Sequence, residues 1–155
     1  MEKKMNDFEN IHEKTNELVT ETGKGQHLFR MKEMEAYMIG PHYSTSEGAA
    51  VKGKNIQIVY VNKPKGTGSR LHTHPNEQFN FVIKGRLKYK VNDEEGIAGP
   101  GDLIHIPANS EHYCVTTEEE DAIYLASKDT TYFIAGDATD GEKSGAFYEE
   151  GYKPE

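Results

Sequence analysis

Apolar and polar positions change rhythm near residue 55. Before it the pattern is thin. Met5, Phe8, Ile11, Leu18 and Val19 stand among charges at a spacing that loosely suits an amphipathic helix over residues 5–20. The stripe is narrow, and a frayed or partner-packed segment fits equally well. Glu21 to Gln26 carries Gly23 and Gly25 and reads as a connector. In His27 to Ile39, Leu28, Met31, Met34 and Met38 fit a helix that strand pairing can override, and Gly40-Pro41 ends the segment. Residues 42–54 are small and polar, a loop by composition.

From Asn55 a period of two takes over. Ile56 to Val61 is β-branched and aromatic and stops at Asn62-Lys63-Pro64. Arg70 to His74, Gln78 to Ile83, Leu87 to Val91, Leu103 to Ile106, His112 to Thr116 and Ala122 to Ala126 also read as strands. Turns fall at Asn92-Asp93, Pro100 to Asp102, Pro107 to Ser110 and Glu118 to Asp121. Lys63 to Gly68 is glycine-rich but lacks the Gly-Lys-Ser/Thr ending of a phosphate loop, and reads as a turn. Many short strands with close turns predict an all-β sandwich or barrel.

Composition narrows the function. A chain of 155 residues suits one domain with terminal extensions. A formal charge of −8 argues against a nucleic-acid or membrane-surface binder, since both are polyanions. Cys114 is the lone cysteine, so no internal disulfide and no paired-cysteine metal motif is available. The first residues lack the apolar stretch of a secretory signal, and no run is long enough to span a bilayer; the expected location is the cytoplasm.

The chemistry concentrates in GTGSRLHTHPNEQFNFVIKG, residues 66–85. His72 and His74 are two apart, so an extended strand puts both imidazoles on one face, able to close on a single ion. By the same alternation Arg70 shares their face and would either offer a guanidinium to a substrate carboxylate or sit at the rim paired to a nearby acid. Asn80 and Val82 share the face of Gln78, and Cys114 and Thr116 share that of His112. His105 is a second expected catalytic residue, a general base, although a hydrogen-bonded barrel histidine is the commoner outcome for such a position. Tyr60, Tyr89 and Tyr124 are expected to line the pocket. His12, His27 and His42 have no assigned role.

These residues resemble the cupin family of small jelly-roll barrels. The family's first motif is met by Gly66, His72-Thr73-His74, Gln78 and Gly85. Its second is met by Gly101, Pro107 and His112, with Asn109 where glycine is usual and Thr116 where asparagine is usual. The resemblance covers about residues 55–127. It implies an all-β fold, a single jelly-roll barrel over residues 51–128. An N-terminal extension (1–50) would be partly helical or strand-exchanging, and a C-terminal extension (129–155) would pack on the barrel. It implies one divalent transition metal per chain (iron(II), manganese, nickel, cobalt or zinc) held by His72, His74, Gln78 and His112. The motif's acid falls at Gln78. A ligand six residues before Gly85 faces inward, whereas Glu77 would face away unless a turn at the strand entrance redirects it, which makes Gln78 the first choice and Glu77 the second.

Such a ligand set is neutral, so the bound ion keeps its charge and favours an anionic partner. The resemblance implies a metal-dependent enzyme on a small anionic or enolisable compound, with dioxygenase, isomerase or lyase chemistry. Similar three-histidine-plus-glutamine sites occur in small cupins that linearise unsaturated uronates. The alternative is a non-catalytic binding or sensing cupin with a structural metal. Arg70, Asn80, Tyr60 and Cys114 are the expected substrate contacts. The resemblance also implies a homodimer; Phe79, Phe81 and Ile83 face away from the metal and need cover from the other sheet, the N-terminal segment or a second subunit.

Overall fold

Two facing sheets are built from the stretches with period-two patterning, and the histidines sit between them. The computed structural model describes residues 10–141 and 145–154. A helix, α1 (Ile11–Leu18), precedes β1 (Thr20–Glu21), a 3-10 turn (Met31–Glu33), β2 (Tyr37–Met38) and β3 (Glu47–Lys52). The barrel continues with β4 (Ile56–Lys63), β5 (Thr67–Gly68), β6 (His72–Thr73), β7 (Gln78–Lys84) and β8 (Leu87–Val91). Then follow β9 (Glu94–Ala98), β10 (Leu103–Ile106), β11 (His112–Thr116), β12 (Ala122–Asp129), β13 (Asp137–Ala138) and β14 (Phe147–Tyr148). The first sheet runs β1-β3-β4-β12-β7-β10, with β2 on β3. The second runs β13-β6-β11-β5-β14, with β8 on β11 and β9 on β8. This is an all-β jelly roll.

Burial alternates strictly along the central strands. On β4, Gln57, Val59, Val61 and Lys63 point inward, and on β12, Ala122, Tyr124, Ala126 and Lys128 do. Strand β7 inverts the usual polarity: its inner face carries Gln78, Asn80 and Val82, while Phe79, Phe81 and Ile83 stay exposed outside. The interior is therefore divided. One end is an apolar plug that includes Val82, Leu87, Ile104 and Ala122, and the other is polar and holds the histidines.

Several expectations are corrected. Residues 42–54 are not a loop throughout, because Glu47–Lys52 is a strand paired along its length with β4. Its small residues are weak strand formers, yet Gly48 fits only because a Cβ there would lie 2.0 Å from the Tyr60 carbonyl oxygen. The boundary at residue 50 thus cuts a strand, and the first extension is partly barrel. In 27–39 neither a long helix nor a long strand forms, only the 3-10 turn and β2. The Lys63–Gly68 turn ends in β5, and Arg70–His74 shrinks to β6. Strand β9 was not anticipated, since its sequence is acidic and glycine-containing. The part of the expected helix before residue 10 lies outside the described residues.

The second motif's departures have local reasons. Asn109 takes φ of +64°, and asparagine is the side chain that best tolerates this left-handed region after glycine. Thr116 is fully buried, and its hydroxyl donates to the Lys63 carbonyl at 3.0 Å, tying β11 to the end of β4. Gly85 has φ of +75°, and a Cβ there would meet the Asp121 carbonyl at 2.5 Å, so the turn after β7 admits little else.

Candidate metal centre

Strand pairing assembles the site. His72 of β6 and His112 of β11 are directly opposed across an antiparallel pair. Their ring centroids lie 4.1 Å apart, and His74 lies 4.7 Å from His112. All three are buried, with ligating nitrogens within 4.8 Å of one another. Each ring is oriented by the backbone two residues away. His72 Nδ1 donates to the Arg70 carbonyl at 2.8 Å, His74 Nδ1 to Asn76 at 2.9 Å and His112 Nδ1 to Ser110 at 2.9 Å. A proton held on Nδ1 leaves Nε2 as a bare lone pair.

Burial also keeps these rings neutral. It lowers His72 well below its ordinary 6.5, takes His74 down to about 2 and His112 to about 4. Neighbouring positive groups add to the effect: His112 on His72, and Lys128 on both His74 and His112. Gln78 faces the same space. Its amide nitrogen donates to Asn80 Oδ1 at 2.7 Å, which turns the amide oxygen toward the histidines. Nε2 of His74, Nε2 of His112 and Oε1 of Gln78 are buried with no hydrogen-bond partner among the described residues. Buried polar atoms are ordinarily satisfied, and three aimed at one point are the mark of a missing ligand. The donor set, three imidazole nitrogens and an amide oxygen, fits a divalent transition metal.

Glu77 lies outside. Its carboxylate meets His105 Nε2 at 2.6 Å on the outer surface, where both side chains are about half exposed. His105 faces out because Ile104 and Ile106 face in, so the expected general base does not reach the cavity. Arg70 does not enter it either. Its guanidinium is bonded to the Asp140 carboxylate, and donates to the Gly145 carbonyl at 2.7 Å and the His42 carbonyl at 2.9 Å. The alternation used to place it beside His72 fails because β6 begins only at His72. Tyr60 alternates with the inward Val59 and Val61 and points away, and the Tyr89 hydroxyl donates to Glu94 at 2.7 Å. Asn80, Cys114 and Tyr124 do line the cavity.

That cavity measures about 50 Å³, small but able to hold a few waters or the reacting end of a small molecule. Three of its features were not foreseen. The stretch 39–46 forms one wall, including Ile39, Tyr43, Ser44 and Ser46, with Tyr43 stacked on His72 at 4.1 Å. Ile134 closes it from the C-terminal side. Lys63 and Lys128 both reach inside, each buried; Lys63 donates to the Cys114 carbonyl at 3.0 Å and Lys128 to the Ile134 carbonyl. Burial, then Lys63, lowers Lys128 to about 7. The period-two pattern of β4 and β12 would have identified both, had it been carried to the strand ends.

A second cluster lies near the N-terminal helix. His12 Nε2 is 2.9 Å from Asp137 Oδ1, and His42 Nε2 is 4.0 Å from the same oxygen while donating to the Gly136 carbonyl at 2.8 Å.

Comparison with known proteins accords with this architecture. Residues 59–128 match the family model of the cupin domain. Over that stretch the chain is similar to a cupin domain, and the jelly-roll fold around it agrees. No curated protein matches it. Among solved structures, a cupin-2 domain protein from Rhodospirillum rubrum aligns with a TM-score of 0.60 at 18% identity, over 76% of this chain and 83% of that one. KdgF from a Halomonas species aligns at 0.56 and 19% identity, over 66% and 94%. An RmlC-like cupin from Shewanella frigidimarina aligns at 0.54 and 18%, over 68% and 91%. At these identities the likeness concerns the fold. Among the described residues no helix is long and apolar enough to cross a membrane.

Proposed function

We propose that this chain is a metal-dependent cupin enzyme acting on a small anionic or enolisable organic compound. The observation that carries the reading is the set of three histidines with Nδ1 committed to carbonyls and Nε2 turned inward, beside the amide oxygen of Gln78. A divalent ion there, when bound, supplies Lewis acidity and open coordination positions. The chain supplies four neutral donors, so the positive charge is not quenched by a carboxylate. Its walls of Tyr43, Val59, Val61 and Tyr124 exclude bulk water, and the small volume restricts the substrate to a compact molecule. Asn80 holds Gln78 in its orientation and stands within reach of a bound molecule's polar end.

Metal analysis of protein purified without chelator or affinity tag tests the reading, with near one transition metal per chain expected. No metal on isolation or reconstitution would overturn it. Oxygen uptake under iron(II), with anaerobic controls, then separates oxygen insertion from isomerisation or lyase chemistry. The depth of the site favours a second reading, a binding or sensing cupin, because the three imidazoles are only 2–6% exposed. Metal binding without turnover of any small acid or carbonyl compound would select it.

A further inference from the structure

Among the described residues Lys63 and Lys128 are the two lysines that line the cavity, and no aspartate or glutamate lines it. They enter from opposite ends of one strand pair. Lys63 closes β4 opposite Ala122, the first residue of β12, and Lys128 lies near the other end of β12, opposite Gln57. Lys63 is 2% exposed and Lys128 7%. Among the described residues neither has a carboxylate within 4.0 Å. Each ammonium has three N–H donors, and one backbone carbonyl accepts from each. The Lys63 ammonium also lies 5.6 Å from the centre of the Tyr124 ring.

A buried charge is ordinarily paired, and two like charges in one small chamber repel. Both facts are resolved by the same occupant. We propose that Lys63 and Lys128 form an anion site inside the barrel that takes the carboxylate of a small organic acid. Its donors are the remaining ammonium N–H groups, and the Ser69 and Tyr124 hydroxyls lie in the same lining. Acetate is a compact carboxylate of the right charge, whereas acetamide matches acetate in shape and lacks the charge. The proposal rests on the cavity being the ligand site. It deepens the proposed function by assigning the substrate's anionic end to lysines of β4 and β12 rather than to the metal alone.

The test uses the full chain, metal-free and metal-loaded, titrated with acetate or acetamide at constant ionic strength. Acetate is expected to bind and to raise Tm in both forms, and acetamide in neither. Lys63→Met and Lys128→Met should each weaken acetate at least tenfold while binding metal at wild-type stoichiometry. Loss of metal in these variants, or equal binding of acetamide, would overturn the proposal. So would acetate binding that needs metal and ignores both substitutions, an outcome that leaves the metal reading standing. Conversely, lysine-dependent acetate binding by a chain that takes up no metal would sink the metal reading alone. Should either variant fail to fold, wild-type protein with 15N-labelled lysines decides. Acetate should shift two Nζ resonances, and no shift would overturn the site.

Discussion

Two histidine clusters, built from the same side chains a short distance apart in the fold, are prepared for opposite roles. In His72, His74 and His112 each Nδ1 faces a backbone carbonyl, and the buried Nε2 atoms of His74 and His112 have no hydrogen-bond partner among the described residues. In His12, His42 and Asp137 the Nε2 atoms are already spent, on Asp137 and on the Gly136 carbonyl. The first cluster has the donors to hold an ion. The second is a tie between α1, the segment before β3 and β13. Proximity of ligand-type residues is common to both, and the hydrogen bond on the far nitrogen is what separates them.

The largest expected effect follows from that contrast. His112→Ala should drop bound metal from near one per chain to near zero, measured by elemental analysis, while His12→Ala leaves it unchanged; equal losses would erase the distinction. Next, Gln78→Leu should weaken metal at least about tenfold, in the range seen when a site's supporting groups are lost. Glu77→Gln should leave metal affinity unchanged and cost at most about 1 kcal/mol, since it breaks only an exposed pair. A larger metal effect from Glu77 than from Gln78 would reverse the assignment.

The third prediction concerns pH. In metal-free protein, His112 titrates near 4 and His74 near 2 when folded, against 6.5 when exposed. Below pH 6.5 the unfolded chain takes up protons that the folded barrel refuses. Stability therefore falls as pH drops from 6.5 toward 4, by order 1 kcal/mol per unit for each histidine, and these groups give no slope above that window. Chemical denaturation at pH 7 and pH 5 measures it. His112→Gln should flatten the slope and His12→Ala should not. The smallest effect is the tie itself: His12→Ala should cost about 1 kcal/mol or less and appear as faster hydrogen exchange in α1.

The barrel strands were legible because their alternation is strict. Leu103–Ile106 and His112–Thr116 end where the pattern says they end. The inward face of Gln78 was legible for the same reason, through its fixed distance from Gly85. What stayed hidden has two causes. Strand β3 and the Tyr43 wall lie in small, polar sequence that is ordered by pairing and packing partners far along the chain. Arg70 was misplaced because alternation was extended past the start of β6, and the general-base reading of His105 failed because the register of Leu103–Ile106 turns that histidine outward. Lys63 and Lys128 were missed by the opposite error, for lysine at a strand end is usually read as solvated even where parity points it inside.

The separation of the ligands along the chain has a thermodynamic consequence. His74 and Gln78 adjoin each other, but His112 reaches them only when β11 has paired with β6. An unfolded chain cannot present the three imidazoles together, so any ion that occupies the site binds the native state almost exclusively. Occupancy then becomes a term in the folding equilibrium, worth about 2.7 kcal/mol at a free-ion concentration a hundredfold above Kd. If the proposed ion is bound, chelation should raise the unfolded fraction open to proteolysis, so that the amount of this protein would follow the supply of the ion.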